Sequence, residues 1–129
     1  MKYLLDTHVL LWLLGQPERV PSHVRETLAD PGANLLVSAV SAMEIATKTR
    51  IGKLPDVGVV QAWPRRLEDI GAVEVPLTGP HTTTAGSMPW AHRDPFDRLL
   101  ASVAIHENAV LVTVDSAFLG LPAPTLLTW

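Results

Sequence analysis

The chain has 129 residues, a length that calls for one domain able to bury most of its apolar surface. It is 47% hydrophobic and 18% charged, so disorder is excluded, and its net charge of −3 excludes a general basic field for nucleic acid. Cysteine is absent, which removes disulfides, thiolate chemistry and cysteine-type zinc sites and fits a reducing cytoplasm.

Lys2-Tyr3-Leu4-Leu5 reads as a short buried strand that stops at Asp6. Asp6-Thr7-His8 also breaks the apolar N-terminus, so neither a membrane span nor a secretory leader is expected there. Thr7 to Leu14 has helical character and ends at Gly15; Pro17 to Pro21 is a connector, and Ser22 caps a helix to about Ala29. Leu35-Leu36-Val37 predicts a second buried strand with Ser38 at its exit, followed by a helix from Val40 to Arg50 that Gly52 terminates. A helix is expected within Val59 to Ile70, with Pro64 either kinking it or marking its start. Ala72 to Val75 predicts a third strand and Pro80 to Ser87 a short helix. Asp94-Pro95 opens a helix running to about Glu107, since Asp caps well and Pro suits the first helical position. Val110 to Val114 predicts a fourth strand, ending on Asp115, and Thr125 to Thr128 a short fifth.

Apolar strands alternating with helices describe an α/β fold around a mostly parallel sheet of four to five strands covered on both faces. Ligands of such sheets bind outside the carboxyl ends of the strands. Asp6 and Asp115 follow strands directly, and Glu44 and Asp97 lie in early turns of helices that begin at that edge. Converging carboxylates repel unless a cation joins them, and an all-oxygen set suits Mg²⁺ or Mn²⁺ rather than zinc or copper. Each acid also has a plainer reading. Asp6 would simply end a strand, Glu44 would face solvent and pair with Lys48, Asp115 would serve a turn, and Asp97 would complete a capping box. Asp94 is explained as the helix cap.

Thr7 and Thr113 adjoin the acids and are candidate supports, while His8 and His92 lack a metal-ligand spacing. Lys48, Arg50 and Lys53 are candidates for RNA phosphate contact or an ordinary solvated helix end, Arg93 and Arg98 for phosphate contact or for holding the nearby carboxylates, and the four tryptophans read as core or interface. Phosphate-binding glycine loops and a Gly-x-Ser-x-Gly elbow are missing. The position two after Asp6, where a phosphoaspartate phosphatase carries a second acid, holds His8.

Taken in order, Tyr3-Leu4-Leu5-Asp6-Thr7-His8, Ser38-x-x-Ser41-x-x-Glu44-Ile45, Lys48-x-Arg50-x-Gly52-Lys53-Leu54, His92-Arg93-Asp94-Pro95-Phe96-Asp97-Arg98-Leu99-Leu100-Ala101 and Leu111-Val112-Thr113-x-Asp115 resemble the PIN-domain ribonucleases, specifically the VapC-like toxins of toxin–antitoxin pairs. The resemblance covers residues 1–129 almost completely. It implies a PIN-like three-layer sandwich and an Mg²⁺- or Mn²⁺-dependent endoribonuclease whose acidic quartet is Asp6, Glu44, Asp97 and Asp115, with Asp94 at its edge. It further implies a cytoplasmic homodimer without a membrane partner, held by a small cognate antitoxin that inserts a segment near the active site, and cleavage of tRNA, rRNA or mRNA. Met88-Pro89-Trp90-Ala91 departs from the family's usual residues before the His-Arg-Asp-Pro motif. The alternatives are a PIN-fold module that only binds a partner, its acids kept for charge pairing, and a metal-dependent DNA nuclease.

Overall fold

The computed structural model describes all of residues 1–129. Five strands form one sheet: β1 (Lys2–Leu5), β2 (Asn34–Ser38), β3 (Ala72–Val75), β4 (Val110–Val112) and β5 (Leu126–Leu127). Six helices connect them: α1 (Thr7–Gly15), α2 (Ser22–Ala29), α3 (Ala39–Arg50), α4 (Trp63–Asp69), α5 (Gly79–Ser87) and α6 (Pro95–His106). The strand order is β3-β2-β1-β4-β5 and every neighbouring pair is parallel.

Side chains that alternate along a strand must enter opposite layers, and these do. Leu5, Leu35, Val37 and Val112 join one apolar cluster with Val9 and Leu10 of α1, Val24 and Leu28 of α2, and Trp63 and Leu67 of α4. Leu4, Leu36 and Leu111 point the other way, to Leu100, Ala101, Val103 and Ala104 of α6. Helix α3 reaches both layers, giving Val40 to one and Ile45 to the other. It therefore spans the carboxyl end of the sheet.

The order of the strands creates the site. The chain lays down β1, then β2 and β3 to one side, and returns to the other side of β1 with β4. The topological switch thus lies between β1 and β4, where the amide of Asp6 donates to the carbonyl of Val112 at 2.9 Å.

Several boundaries differ from the sequence expectation. The helix expected within Val59 to Ile70 is only Trp63–Asp69, because Pro64 occupies its first turn; residues 58–62 form turns. Strand β4 stops at Val112; the Thr113 amide makes a last bond to the Leu127 carbonyl at 3.1 Å, and Val114 lies outside the strand. Ser22 is the first helical residue of α2 rather than its cap, which is Pro21. Short 3-10 helices at Pro17–Arg19 and Ser116–Gly120 lie in stretches read as connector and turn. Gly52, at φ 79°, adopts the left-handed conformation that lets the chain leave α3.

Leu5 is fully buried and directly precedes Asp6. Leu5→Ala should lower unfolding free energy by about 3 kcal/mol, measured as a reduced urea midpoint at unchanged slope.

Candidate active site

Three acids at the carboxyl edge are helix caps. Asp6 precedes α1 and its Oδ1 accepts the Thr7 amide at 2.7 Å. Asp94 precedes α6 and accepts the Phe96 amide at 2.9 Å. Asp115 precedes the Ser116–Gly120 turn of helix and accepts the Ala117 amide at 2.9 Å. Helix N-termini carry free amides and positive dipole ends, so this edge is built to receive anions.

Asp6 lies between α1 and the end of β4. Its Oδ2 accepts the Thr113 hydroxyl at 2.5 Å, and that hydroxyl oxygen accepts the Asp115 amide at 3.0 Å. Thr113 therefore joins Asp6 and Asp115 through one hydroxyl. The Thr7 hydroxyl donates to Glu44 Oε1 at 2.6 Å, so the Ser41 hydroxyl, 2.9 Å away, must donate to Thr7. Ser41 had no role assigned from sequence, although its spacing of three from Glu44 places both on one face of α3.

Glu44 is only 4% exposed, which counts against the plainer of its two readings, a solvent-facing helix residue. The pairing with Lys48 is nevertheless present, Nζ to Oε2 at 2.6 Å. Burial disfavours the Lys48 ammonium, but its bond to Glu44, with the fields of Glu44, Asp94 and Asp97, raises its pKa overall. Lys48 is thus a counter-ion within the acidic site.

Asp97, buried in the first turn of α6, receives no capping-box contact from Asp94; its Oδ2 lies 2.7 Å from His92 Nε2. His92 was passed over in the sequence for want of a ligand spacing, and contacts a helix residue five positions on. Ligand atoms of His92, Asp94 and Asp97 all lie within 4.8 Å of one another. Asp6, Glu44, Asp97 and Asp115 do not close to that separation as a group, and are linked by hydrogen bonds and by field.

Burial pushes the Asp97 carboxyl up to about 6, against the His92 bond that lowers it, and Asp94, Asp6 and Asp115 add to the rise. Burial likewise raises Asp6, opposed by the Thr113 hydroxyl and the Thr7 amide, with Glu44 raising it further. At both carboxyls, burial outweighs the hydrogen bonds that favour the charged form.

The basic candidates divide. Arg50, Lys53 and Arg93 are exposed. Arg98 is not free for phosphate, because its guanidinium donates to the carbonyls of Ala85, Met88, Trp90 and His92. His8 is exposed beside Asp6. Separately, a groove of about 760 Å³ runs between α1 and the segment after α3, lined by Leu11, Trp12, Ile45, Val57, Val59 and Val60 among others. No helix is long and apolar enough to cross a membrane.

Because the folded state keeps the Asp97 proton to about pH 6 while an unfolded carboxyl loses it near 3.8, stability falls as pH rises between those values. Asp97→Asn should therefore raise unfolding free energy at pH 7 by up to roughly 3 kcal/mol, at about 1.36 kcal/mol per pH unit between those values, and change it little at pH 4. Paired denaturant melts at the two pH values check the sign.

Ribonuclease VapC22 of Mycobacterium tuberculosis is 29% identical over 113 residues, covering 87% of this chain and 85% of that protein. Among solved structures, a chain of VapBC2 from Rickettsia felis, bound to a DNA fragment from its promoter, superposes with TM-score 0.72 at 21% identity, over 100% of this chain and 99% of that one. VapBC-1 from nontypeable Haemophilus influenzae gives TM-score 0.73 at 19% identity, over 100% and 98%. FitAcB from Neisseria gonorrhoeae gives 0.63 at 22%, over 96% and 95%. These structures share the fold: a parallel sheet between helical layers. The PIN domain model matches residues 3–123, and the chain belongs to the PIN domain family.

Proposed function

We propose that this protein is a divalent-metal-dependent endoribonuclease and the toxin of a toxin–antitoxin pair. The observation that carries the reading is the pair Asp6 and Asp97, two buried carboxylates whose charge the protein leaves incompletely compensated at the topological switch of the sheet. Membership of the PIN family and the likeness to a protein named as a ribonuclease support it.

The donor set fits Mg²⁺ or Mn²⁺: it is all carboxylate oxygen apart from His92, with no thiol in the chain. Asp6, Asp97 and Asp115 would hold the ion, with Glu44 sharing it and Asp94 at the edge. A divalent cation supplies charge stabilisation at phosphoryl oxygens and lowers the pKa of a water that attacks phosphorus. The chain's own part is orientation. Thr113 and the Thr7 amide fix both oxygens of Asp6, each of which retains a further lone pair. Thr7 and Lys48 hold the two oxygens of Glu44 and so fix its carboxylate. Lys48, besides neutralising Glu44, brings a positive charge to the approach of a polyanion. Exposed Arg50, Lys53 and Arg93 provide the outer phosphate contacts.

The purified protein should cut RNA with Mg²⁺ or Mn²⁺ and stop on chelation, and Asp6→Asn should cut at least 100-fold more slowly. Equal rates for parent and Asp6→Asn, read from gel-resolved RNA fragments, would refute the assignment. Mn²⁺ should also raise the melting temperature of the parent, and less as pH falls below about 6, where Asp97 keeps its proton. A module whose acids serve only charge pairing would show neither effect.

Several solved relatives are toxin–antitoxin complexes, which supports an antitoxin partner for this chain. The groove beside α1 suits its segment. The groove's lining mixes apolar side chains with Arg19, Arg50 and Arg66 and holds a single acid, Asp56. An amphipathic segment with carboxylates beside its apolar face matches that pattern. Val57 is 70% exposed on the groove wall. Val57→Asp should weaken antitoxin binding by about tenfold or more, near 1.4 kcal/mol, with RNA cleavage by the free toxin unchanged; calorimetric titration measures the first and a cleavage assay the second.

A further inference from the structure

The connection between α5 and α6, residues 88–94, carries almost no regular structure, yet one side chain gathers it. Arg98 Nε donates to the carbonyl of Ala85 at 2.7 Å, and Nη2 to that of Met88 at 2.7 Å. Nη1 donates to Trp90 at 2.7 Å and to His92 at 3.0 Å. Four of the five guanidinium hydrogens are thereby used on backbone carbonyls. Two acceptors lie in the last turn and at the cap of α5, where a cation also suits the negative end of the helix.

The same segment is packed from its other side. The Trp90 ring lies 4.8 Å from the His92 imidazole and 5.7 Å from Phe118, centroid to centroid. Phe118 is buried in the short helix that Asp115 caps. His92 Nε2 in turn meets Asp97 Oδ2 at 2.7 Å. One contiguous unit therefore runs from the helix behind Asp115, through Phe118 and Trp90, to His92 and Asp97. Arg98, adjacent to Asp97 on α6, fastens the backbone of that unit.

We propose that Arg98 is a positioning residue of the active site: by clamping the carbonyls of Ala85, Met88, Trp90 and His92 it seats the His92 imidazole on Asp97 Oδ2 and so fixes how Asp97 presents its other oxygen to a divalent cation. Geometry is the requirement, not charge. A lysine at this position keeps the cation at the end of α5 but offers only three donors from a point, and cannot match a planar fork to four carbonyls. The inference rests on the metal-dependent reading above.

The test compares Arg98→Lys with the parent and with Arg65→Met, an exposed control on α4. The His92 imidazole is followed by ¹⁵N-resolved NMR in metal-free protein, Mn²⁺ binding by the EPR signal of the free ion, and cleavage by kcat and KM separately. Arg98→Lys should fold, lose the parent's hydrogen-bonded His92 signal, and bind Mn²⁺ about tenfold more weakly, with kcat reduced by a similar factor at nearly constant KM. His92→Ala should weaken Mn²⁺ binding comparably, and the double variant should be no worse than either single one. A folded Arg98→Lys with the parent's His92 signal and Mn²⁺ affinity overturns the proposal. Should Arg98→Lys fail to fold, His92→Ala decides: unchanged Mn²⁺ affinity overturns it. If the parent itself binds no Mn²⁺, the metal-dependent reading fails, and the His92 signal in Arg98→Lys still reports whether the clamp exists.

Discussion

Burying a carboxylate without a full counter-charge costs several kcal/mol per ion, and this protein does so at one edge of its sheet. Asp6 and Asp97 are each at most 9% exposed. Neighbouring acids add to that cost, and hydrogen bonds and counter-ions around the acidic edge work against it. Three acids sit at helix N-termini, Thr113 and Thr7 donate hydroxyl hydrogens, Lys48 faces Glu44, and His92 faces Asp97. The compensation remains partial, since burial still prevails over these partners at Asp6 and Asp97. Strand order is what makes the arrangement reachable. With β1 central and β4 returning beside it, residues 107 apart in sequence, Asp6 and Thr113, become hydrogen-bond partners.

The acids are not equivalent. Glu44 has both oxygens engaged, one by a hydroxyl and one by an ammonium, so its charge is largely answered within the protein. Asp115 is exposed and uses one oxygen as a cap. Asp6 has both oxygens hydrogen-bonded but by neutral donors, which orient the carboxylate without cancelling its charge. Asp97 has one oxygen on an imidazole. On electrostatic grounds the unmet demand for positive charge is concentrated at Asp6 and Asp97. Glu44 is better suited to orientation than to supplying most of the attraction.

Much of this was legible in the residues, for identifiable reasons. Strands buried on both faces are continuous apolar runs, so Leu4-Leu5 and Leu35-Leu36-Val37 stand out, and Asp6 and Ser38 mark their carboxyl ends. Asp94-Pro95 reads directly as a helix start because cap chemistry is local. The ends of β4 and α4 were less legible. Val114 has strand propensity, but the ladder ends at Thr113, whose amide still donates to Leu127 while its hydroxyl serves Asp6, so tertiary context overrides propensity. Helical character before Pro64 was equally deceptive, since the residues from Val59 pack into the core from turns. Arg98 and His92 illustrate a third limit. Next to an acid motif, an arginine suggests phosphate, yet bonds from a side chain to backbone carbonyls leave no periodic trace in a sequence. His92 faces Asp97 only because the clamped segment turns it there.

The groove and the acidic edge share their walls. His8 and Leu11 of α1 line the groove while Thr7, one residue earlier, holds Glu44. On α3, Ile45 and Ala46 line the groove and Glu44 faces the acids. Adjacent residues on one helix point about 100° apart, so the two helices divide their faces between a binding surface and a site. A segment seated in the groove consequently touches the elements that carry Asp6 and Glu44 without needing to reach through the core. Protein interiors are close-packed and resist small independent shifts. Displacing α1 or α3 would therefore alter the Thr7–Glu44–Lys48 chain as well as the groove. The helices that border the groove are thus the ones that carry Thr7 and Glu44, so the proposed partner surface and the acidic edge share two elements of the fold.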